Sequence, residues 1–134
     1  MIINLLIIAL LGMAFLIIIS LVNKKVPKKL NHKYFVKEWR YLQAMCANKD
    51  TWPLAIINAD KLLDTALKKR SFKGKSMGER LVSAQRKISN NEAVWIAHKL
   101  RNRLVHEHDV NLKEKDVMDA LVGIRQALKD LGAL

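Results

Sequence analysis

The stretch VMDALVGIRQALKDL, residues 117–131, repeats its apolar side chains at intervals of three and four residues. On a helix with about 3.6 residues per turn, such intervals gather the side chains into one stripe, so the segment predicts an amphipathic helix. Asn111 and Glu114 have the spacing of an N-terminal capping box, and Gly132 is typical of a helix end. The stripe consists of Val117, Leu121, Ile124, Leu128 and Leu131.

Four further segments upstream repeat the same spacing, and none alternates with the period of two that is typical of strands. One helix is predicted over about residues 32–48. The next follows an N-cap at Asp50 or Thr51, has Pro53 in its first turn and runs to about residue 70. A shorter helix follows, for which Ser76 is the expected N-cap. A fourth helix begins after Asn90 or Asn91, since either asparagine can cap it.

We therefore expect residues 32–134 to form an all-α, up-and-down bundle of four to five helices around a shared core. In the second helix Asp60 and Asp64 lie four residues apart, which is unfavourable unless a cation sits between them. An Arg or Lys from a neighbouring helix is one explanation, and a functional carboxylate is the other. The core stripe of the fourth helix is predicted to contain Ala93, Ile96, Ala97, Leu100 and Leu104.

The N-terminal run IINLLIIALLGMAFLIIISLV, residues 2–22, contains no charged residue. At about 1.5 Å per residue it spans roughly 31 Å as a helix, which matches the hydrocarbon core of a bilayer. We interpret residues 1–22 as an uncleaved transmembrane anchor. A signal peptide would carry a positive start and small residues at a cleavage site, and the buried helix of a soluble fold would carry polar interruptions.

The segment after this run, residues 23–31, is a predicted basic juxtamembrane linker. The positive-inside rule then predicts a single-pass protein of the cell membrane, with the N-terminus outside and the C-terminal domain in the cytoplasm. The lysines on this side of the run are Lys24, Lys25, Lys28, Lys29 and Lys33.

The chain is strongly basic, with 24 Lys and Arg against 12 Asp and Glu and a formal net charge of +12. This excess suits nucleic acid or anionic lipid headgroups, and it also suits simple solubility beside a membrane. Cys46 is the single cysteine, so no intrachain disulfide can form, and we expect it in the core. One dense basic cluster is predicted to contact a nucleic-acid backbone, the alternative being a solvated turn. It comprises Lys68, Lys69, Arg70, Lys73 and Lys75.

The fourth helix contains LRNRLVHEH, residues 100–108, with Arg101, Asn102 and His106. A polar stripe is predicted on the side of this helix that faces away from the core. It comprises His98, Arg101, Asn102, Val105 and Asp109. The motif lies on the penultimate helix of a small all-α domain, an arrangement that resembles the HEPN superfamily (higher eukaryotes and prokaryotes nucleotide-binding). Its RNase members carry an Arg, then a polar residue, then a His a few positions later.

The resemblance covers residues 31–134 and implies a homodimer in which the two motif helices face each other. Catalytic members cleave RNA without a metal or other cofactor, by attack of the ribose 2′-OH on the adjacent phosphate. The resemblance assigns catalytic roles to Arg101, Asn102 and His106. These residue types suit the chemistry, because His moves protons near neutral pH, the Arg fork holds phosphate oxygens and Asn orients a phosphate without adding charge.

Helix geometry limits what one chain can do with this motif. Five residues advance about 500°, so Arg101 and His106 do not share a face, whereas a twofold pair of chains can bring both to one groove. The alternative function is a non-catalytic scaffold that binds nucleic acid or a protein partner at the membrane. A solvated surface is the plainest interpretation of the same residues. The spacing of Cys and His does not fit zinc, so we expect no metal site.

Overall fold

The computed structural model describes residues 1–22 and 27–134. All regular structure in these two ranges is helical, which confirms the all-α class, and five α-helices follow the N-terminal one. Residues 23–26, with Lys24 and Lys25 of the predicted linker, lie outside the described residues. The elements are α1 (Ile2–Val22), α2 (His32–Met45), a 3₁₀ turn (Lys49–Thr51), α3 (Trp52–Lys69), α4 (Met77–Ala84), α5 (Asn91–His106) and α6 (Glu114–Asp130).

Helix α1 is apolar around its whole circumference, and its side chains from Ile2 to Leu21 are exposed. It is the one helix in the described ranges that is long and apolar enough to cross a membrane. Each apolar Å² left in water costs about 25 cal/mol, so this surface favours an apolar environment over water.

Helix α3 is the centre of the bundle, because it packs against α2, α4, α5 and α6. Its buried side chains include Leu63 and Leu67, which are fully enclosed. Helix α6 packs against both α3 and α5, and its Ile124 and Leu128 are also fully enclosed. The stripe predicted for this last helix is therefore confirmed as part of the core.

The two ends of the bundle are joined to each other. The ring Nδ1 of His32, at the start of α2, donates to the carbonyl of Ala133 at 3.1 Å. Leu30 and Ala133 are buried beside this contact, so the core includes Leu30 of the predicted linker. Gly132 adopts a φ of +77° just after α6, as the left-handed residue of a helix C-terminus does, which confirms its predicted position.

The start of α6 differs from the prediction. The helix begins at Glu114, with Lys113 in the N-cap position, so the capping box based on Asn111 is wrong. The carboxylate of Asp116 instead accepts from the backbone N–H of Lys113 at 3.1 Å. Leu112 is buried. Drawing this side chain into the core keeps the chain extended here and delays the first helical turn.

The buried face of α5 is partly rotated from the predicted one, although Ala97, Leu100 and Leu104 pack in or on the core as predicted. Val94 and Ala97 are its buried residues, whereas Ile96, expected in the core, is 55 % exposed. Helix α5 packs against both α3 and α6, and its covered arc includes Val94 and His98, which the predicted stripe left out. Helix α5 approaches α6 closely at Ala93, beside Gly123.

This close approach predicts that Gly123→Ala destabilises the bundle by about 1–3 kcal/mol. A methyl group there would lie 2.9 Å from Cβ of Ala93 and 3.1 Å from its carbonyl carbon, which belong to a rigid helix. Gly78→Ala in α4 is the matched control, because its methyl group would meet Trp95 at an ordinary 3.5 Å. The control is expected to be neutral or to stabilise by up to about 1 kcal/mol, since Ala favours the helix.

The measurement is urea unfolding of the full chain in mild detergent, followed by helical circular dichroism. Equal stability of the two alanine variants would contradict a tight α5–α6 contact at Gly123.

Candidate functional site

The rotation of α5 turns part of its polar stripe toward α3. Asp60 of α3 and His98 of α5 face each other, and their side chains are only 4 % and 11 % exposed. The prediction that the stripe faces away from the core is therefore wrong for His98. Arg101 and Asn102 follow His98 on the same side of α5 and are half-buried, whereas Val105 and Asp109 are exposed.

A hydrogen-bonded pair forms the inner part of this cluster. Nδ1 of His98 lies 2.9 Å from Oδ1 of Asp60. A carboxylate oxygen only accepts, so the ring donates through Nδ1 and leaves Nε2 for a second contact. The amide Nδ2 of Asn102 lies 3.5 Å from that Nε2. Asp60 therefore orients His98, and His98 in turn faces Asn102.

Arg101 forms the outer part of the cluster. Its Nη1 donates to Oδ1 of Asn102 at 2.9 Å. Its Nε is buried and lies 3.5 Å from Oδ2 of Asp60, close enough for charge attraction but without a hydrogen bond. The side chain is 33 % exposed. Among the described residues Nη2 has no hydrogen-bond acceptor, so the guanidinium is held in place with donors to spare.

These side chains border a groove of about 520 Å³ between α3, α5 and the start of α4. Two cations, Arg101 and Lys61, lie beside two carboxylates in it, and the first turn of α4 contributes its wall. The lining residues are Ile57, Asp60, Lys61, Asp64, Ser76, Met77, Gly78, His98, Arg101 and Asn102.

The second carboxylate of α3 belongs to a separate ion-pair network. Nε and Nη2 of Arg80 donate to Asp64 at 2.7 and 3.0 Å, and Nζ of Lys68 lies 2.8 Å from Oδ2. Burial favours the neutral acid, but these hydrogen bonds and charges outweigh it and lower the pKa of Asp64. The cation predicted to come from a neighbouring helix is therefore Arg80 in the case of Asp64. Asp60 instead accepts a hydrogen bond from His98 and attracts the charge of Arg101.

His106 lies apart from this groove. It is the last residue of α5, it is exposed, and it does not line the groove that Arg101 and Asn102 border. Within the described ranges its ring has no hydrogen bond. Three of the predicted site residues thus divide into a held pair, Arg101 and Asn102, and an exposed imidazole at the end of the same helix.

The predicted basic cluster lies at the C-terminal end of α3 and in the loop that follows it. Lys68, Lys69, Lys73 and Lys75 are exposed, and Arg70 is half-buried. Three of its members, Lys68, Lys73 and Lys75, border a second, open depression of about 910 Å³, which Phe72 and Ser83 also line. The surface is therefore accessible to a large polyanion.

Sequence reasoning did not identify Asp60 and His98 as partners. They are separated by 38 positions, so no local motif joins them. The only signal was the like-charge pair of Asp60 and Asp64, which indicated that α3 needs cations from elsewhere. The contact also depends on the rotation of α5, which places Trp95 edge-on against His98, with ring centroids 5.9 Å apart.

The chain matches no protein-family model, no curated protein and no solved structure. The resemblance to the HEPN superfamily therefore stays a prediction that is based on Arg101, Asn102 and His106.

The Asp60 cluster predicts a large loss of stability for Asp60→Ala, of about 3 kcal/mol. The change leaves the half-buried Arg101 and the buried His98 without their carboxylate, and removing one member of a buried pair is strongly destabilising. Asp119→Ala is the matched control, because Asp119 pairs with Lys115 on the exposed face of α6. Exposed pairs contribute little, so the control should change stability by less than about 0.5 kcal/mol. Urea unfolding of both variants measures the difference, and equal values would contradict a structural role for Asp60.

The lowered pKa of Asp64 predicts an acid-sensitive contribution to stability. A carboxyl whose pKa is lower in the folded state stabilises the fold above the unfolded pKa, near 4, and loses this effect as the pH falls below it. The advantage of the wild type over Asp64→Asn should therefore be full above about pH 5 and shrink progressively toward pH 2. Urea unfolding at a series of pH values measures it. A constant difference would show that Arg80 and Lys68 do not favour the charged form.

Proposed function

We propose that the chain is a membrane-anchored, HEPN-like ribonuclease that acts as a homodimer and needs no metal ion. In this proposal α1 is a single-pass anchor with its N-terminus outside the cell, and the bundle of α2–α6 lies in the cytoplasm. The observation that carries the proposal is the condition of Arg101, which is oriented by two neighbours while part of its guanidinium remains available at the mouth of a groove.

An oriented guanidinium is the feature that phosphoryl chemistry requires. The hydrogen bond to Asn102 and the attraction of Asp60 hold the fork of Arg101 before any ligand arrives. A phosphate can then accept from Nη2 without a further loss of side-chain freedom. Lys61 at the same groove adds positive charge for the approach of a polyanion.

The exposed imidazole supplies the second requirement, a group that moves protons. In the proposed step the 2′-oxygen of a ribose attacks the adjacent phosphorus and loses its proton to a base. The bond to the 5′-oxygen breaks, and that oxygen takes a proton from an acid, which leaves a cyclic phosphate and a 5′-OH. His106 is suited to either transfer because its ring has no other partner among the described residues.

The separation of Arg101 from His106 is the reason for the homodimer. Within one chain the first borders the groove and the second does not. A twofold axis beside α5 would let the His106 imidazole of one copy approach the Arg101 guanidinium of the other. The resemblance to HEPN proteins supplies the same arrangement.

A non-catalytic binding module is the second candidate, and one observation favours it. Within one chain the His106 imidazole does not line the groove that Arg101 borders, so the proposed catalytic pair is incomplete without a second copy. In such a module the same groove and the basic cluster hold a nucleic acid or a protein at the membrane without turnover.

The test is RNA cleavage by the full chain in detergent or nanodiscs. Wild type should cleave an RNA oligonucleotide in the presence of a chelator and leave a cyclic phosphate, detected by mass spectrometry. His106→Ala should slow cleavage at least about 100-fold, because the change removes the proton-transfer group. Arg101→Ala should also slow it, through the loss of charge stabilisation.

His108→Ala is the matched control, because His108 is equally exposed two residues beyond and lies outside α5. It should retain wild-type activity, and helical circular dichroism should be the same for both histidine variants. RNA binding without cleavage by the wild type would contradict the ribonuclease and favour the binding module. Equal losses in the two histidine variants would contradict the assignment of His106.

A further inference from the structure

We infer that the loop between α3 and α4 is a binding surface for anionic phospholipid headgroups that fixes how the domain lies on the membrane. This lipid-binding loop comprises residues 70–75 together with Lys68 and Lys69, the last two residues of α3. The inference depends on the anchoring by α1 that is proposed above, and it does not depend on the ribonuclease.

The charge of the loop is positive and largely unopposed. Lys69, Lys73 and Lys75 are exposed and form no ion pair within the described ranges, whereas Lys68 shares Asp64 with Arg80. The nearby carboxylate of Glu79 accepts from the backbone N–H of Lys75 at 2.6 Å. The acidic groups beside the loop are thus engaged by α4 and by the loop backbone, and three ammonium groups extend into water.

The backbone of the loop is braced from α4. Ser83 Oγ donates to the carbonyl of Lys73 at 2.6 Å, and Nη1 of Arg80 donates to the carbonyl of Gly74 at 2.7 Å. At Gly74 the loop lies so close to α4 that a Cβ would be 2.6 Å from the backbone nitrogen of Arg80. The lysine side chains are therefore attached to a fixed backbone, and docking does not require the loop to become ordered.

The tether keeps this loop within reach of headgroups. Nine residues, 23–31, separate the end of α1 from α2, and Leu30 among them belongs to the core. The seven residues before it, 23–29, extend roughly 25 Å at most, at about 3.5 Å per residue. A domain of this size has a radius of gyration of about 13 Å. The loop lies at the same end of the bundle as this tether, because Tyr34 near the start of α2 and Thr65 near the end of α3 line one depression. By rotating about the tether, the domain can thus bring the exposed faces of this end to the membrane. An anionic membrane surface then favours the most positive of these faces, because each lysine near the surface increases the binding constant roughly fivefold.

The chemistry of the loop favours lipid over single-stranded RNA. Its one aromatic side chain, Phe72, is half-buried and packs on the core, so the loop offers a single, partly covered ring for base stacking. Arg70 is half-buried and Arg80 is engaged by Asp64, so the exposed cations are ammonium groups. Ammonium groups act as point charges, which suit headgroup phosphates that have no fixed spacing.

The test measures lysine accessibility in the full chain. The protein is placed in nanodiscs of phosphatidylcholine alone or with about one third phosphatidylglycerol, and lysine acetylation by an amine-reactive ester is followed by mass spectrometry. Lys69, Lys73 and Lys75 should be acetylated at least about fivefold more slowly in the anionic discs. The exposed Lys99 and Lys129, on α5 and α6, are internal controls and should not change. Salt at about 0.5 M should remove the protection, because it screens the charges.

A pair of variants separates the loop from general basicity. In Lys73→Gln/Lys75→Gln the protection of Lys69 should fall to the level in neutral discs, whereas Lys99→Gln/Lys129→Gln should retain it. Equal acetylation rates in the two kinds of disc would overturn the inference, and so would failure of the chain to enter discs. Protection by an added RNA oligonucleotide in neutral discs, without protection by phosphatidylglycerol, would overturn it in favour of nucleic acid. Loss of RNA cleavage with lipid protection intact would contradict only the ribonuclease.

Discussion

Two carboxylates on the central helix impose the constraint on which the arrangement of α4 and α5 depends. Asp60 and Asp64 lie one turn apart on α3, largely withdrawn from water, and an unpaired buried charge costs several kcal/mol. Arg80 of α4 serves Asp64, and His98 and Arg101 of α5 serve Asp60. Apolar burial has no direction, whereas these contacts form in one register only. The pair of acids therefore specifies where both helices lie along α3.

Small residues make this polar arrangement possible. Gly123 allows α6 to approach the backbone of α5 at Ala93, and Ala59 of α3 and Ala97 of α5 are fully buried. Short side chains bring helix axes together, so that a short acid such as Asp60 can reach His98 directly. Larger residues at the same positions would widen the interface and leave the acid without a partner. Close packing of α5 against α6 and charge pairing of α5 with α3 thus act on the same helix.

Most of the fold could be predicted from the sequence, because helix spacing and capping are local. The stripe of α6, the cap at Ser76 and the end at Gly132 are all confirmed. The errors arose where contacts between residues far apart in the sequence determine where a helix begins or which of its faces is buried. Burial of Leu112 moved the start of α6, and contact with two helices rotated the covered arc of α5. The partnership of Asp60 and His98 depends on that rotation, so no motif within either helix could reveal it.

The position of Asp60 bears on which of the two candidate functions the groove suits. In a module selected for affinity toward phosphate, Arg101 would have no carboxylate beside it. Lys73 and Lys75, in the loop after α3, are exposed in this way. Here a carboxylate attracts the inner edge of the guanidinium, and Asn102 holds one outer nitrogen. Ground-state attraction for phosphate is thereby reduced while the orientation of the fork is improved. Interactions that strengthen only as charge builds on the phosphate accelerate a reaction, whereas uniform binding does not. In the proposed ribonuclease, the geometry of Arg101 therefore serves turnover rather than retention.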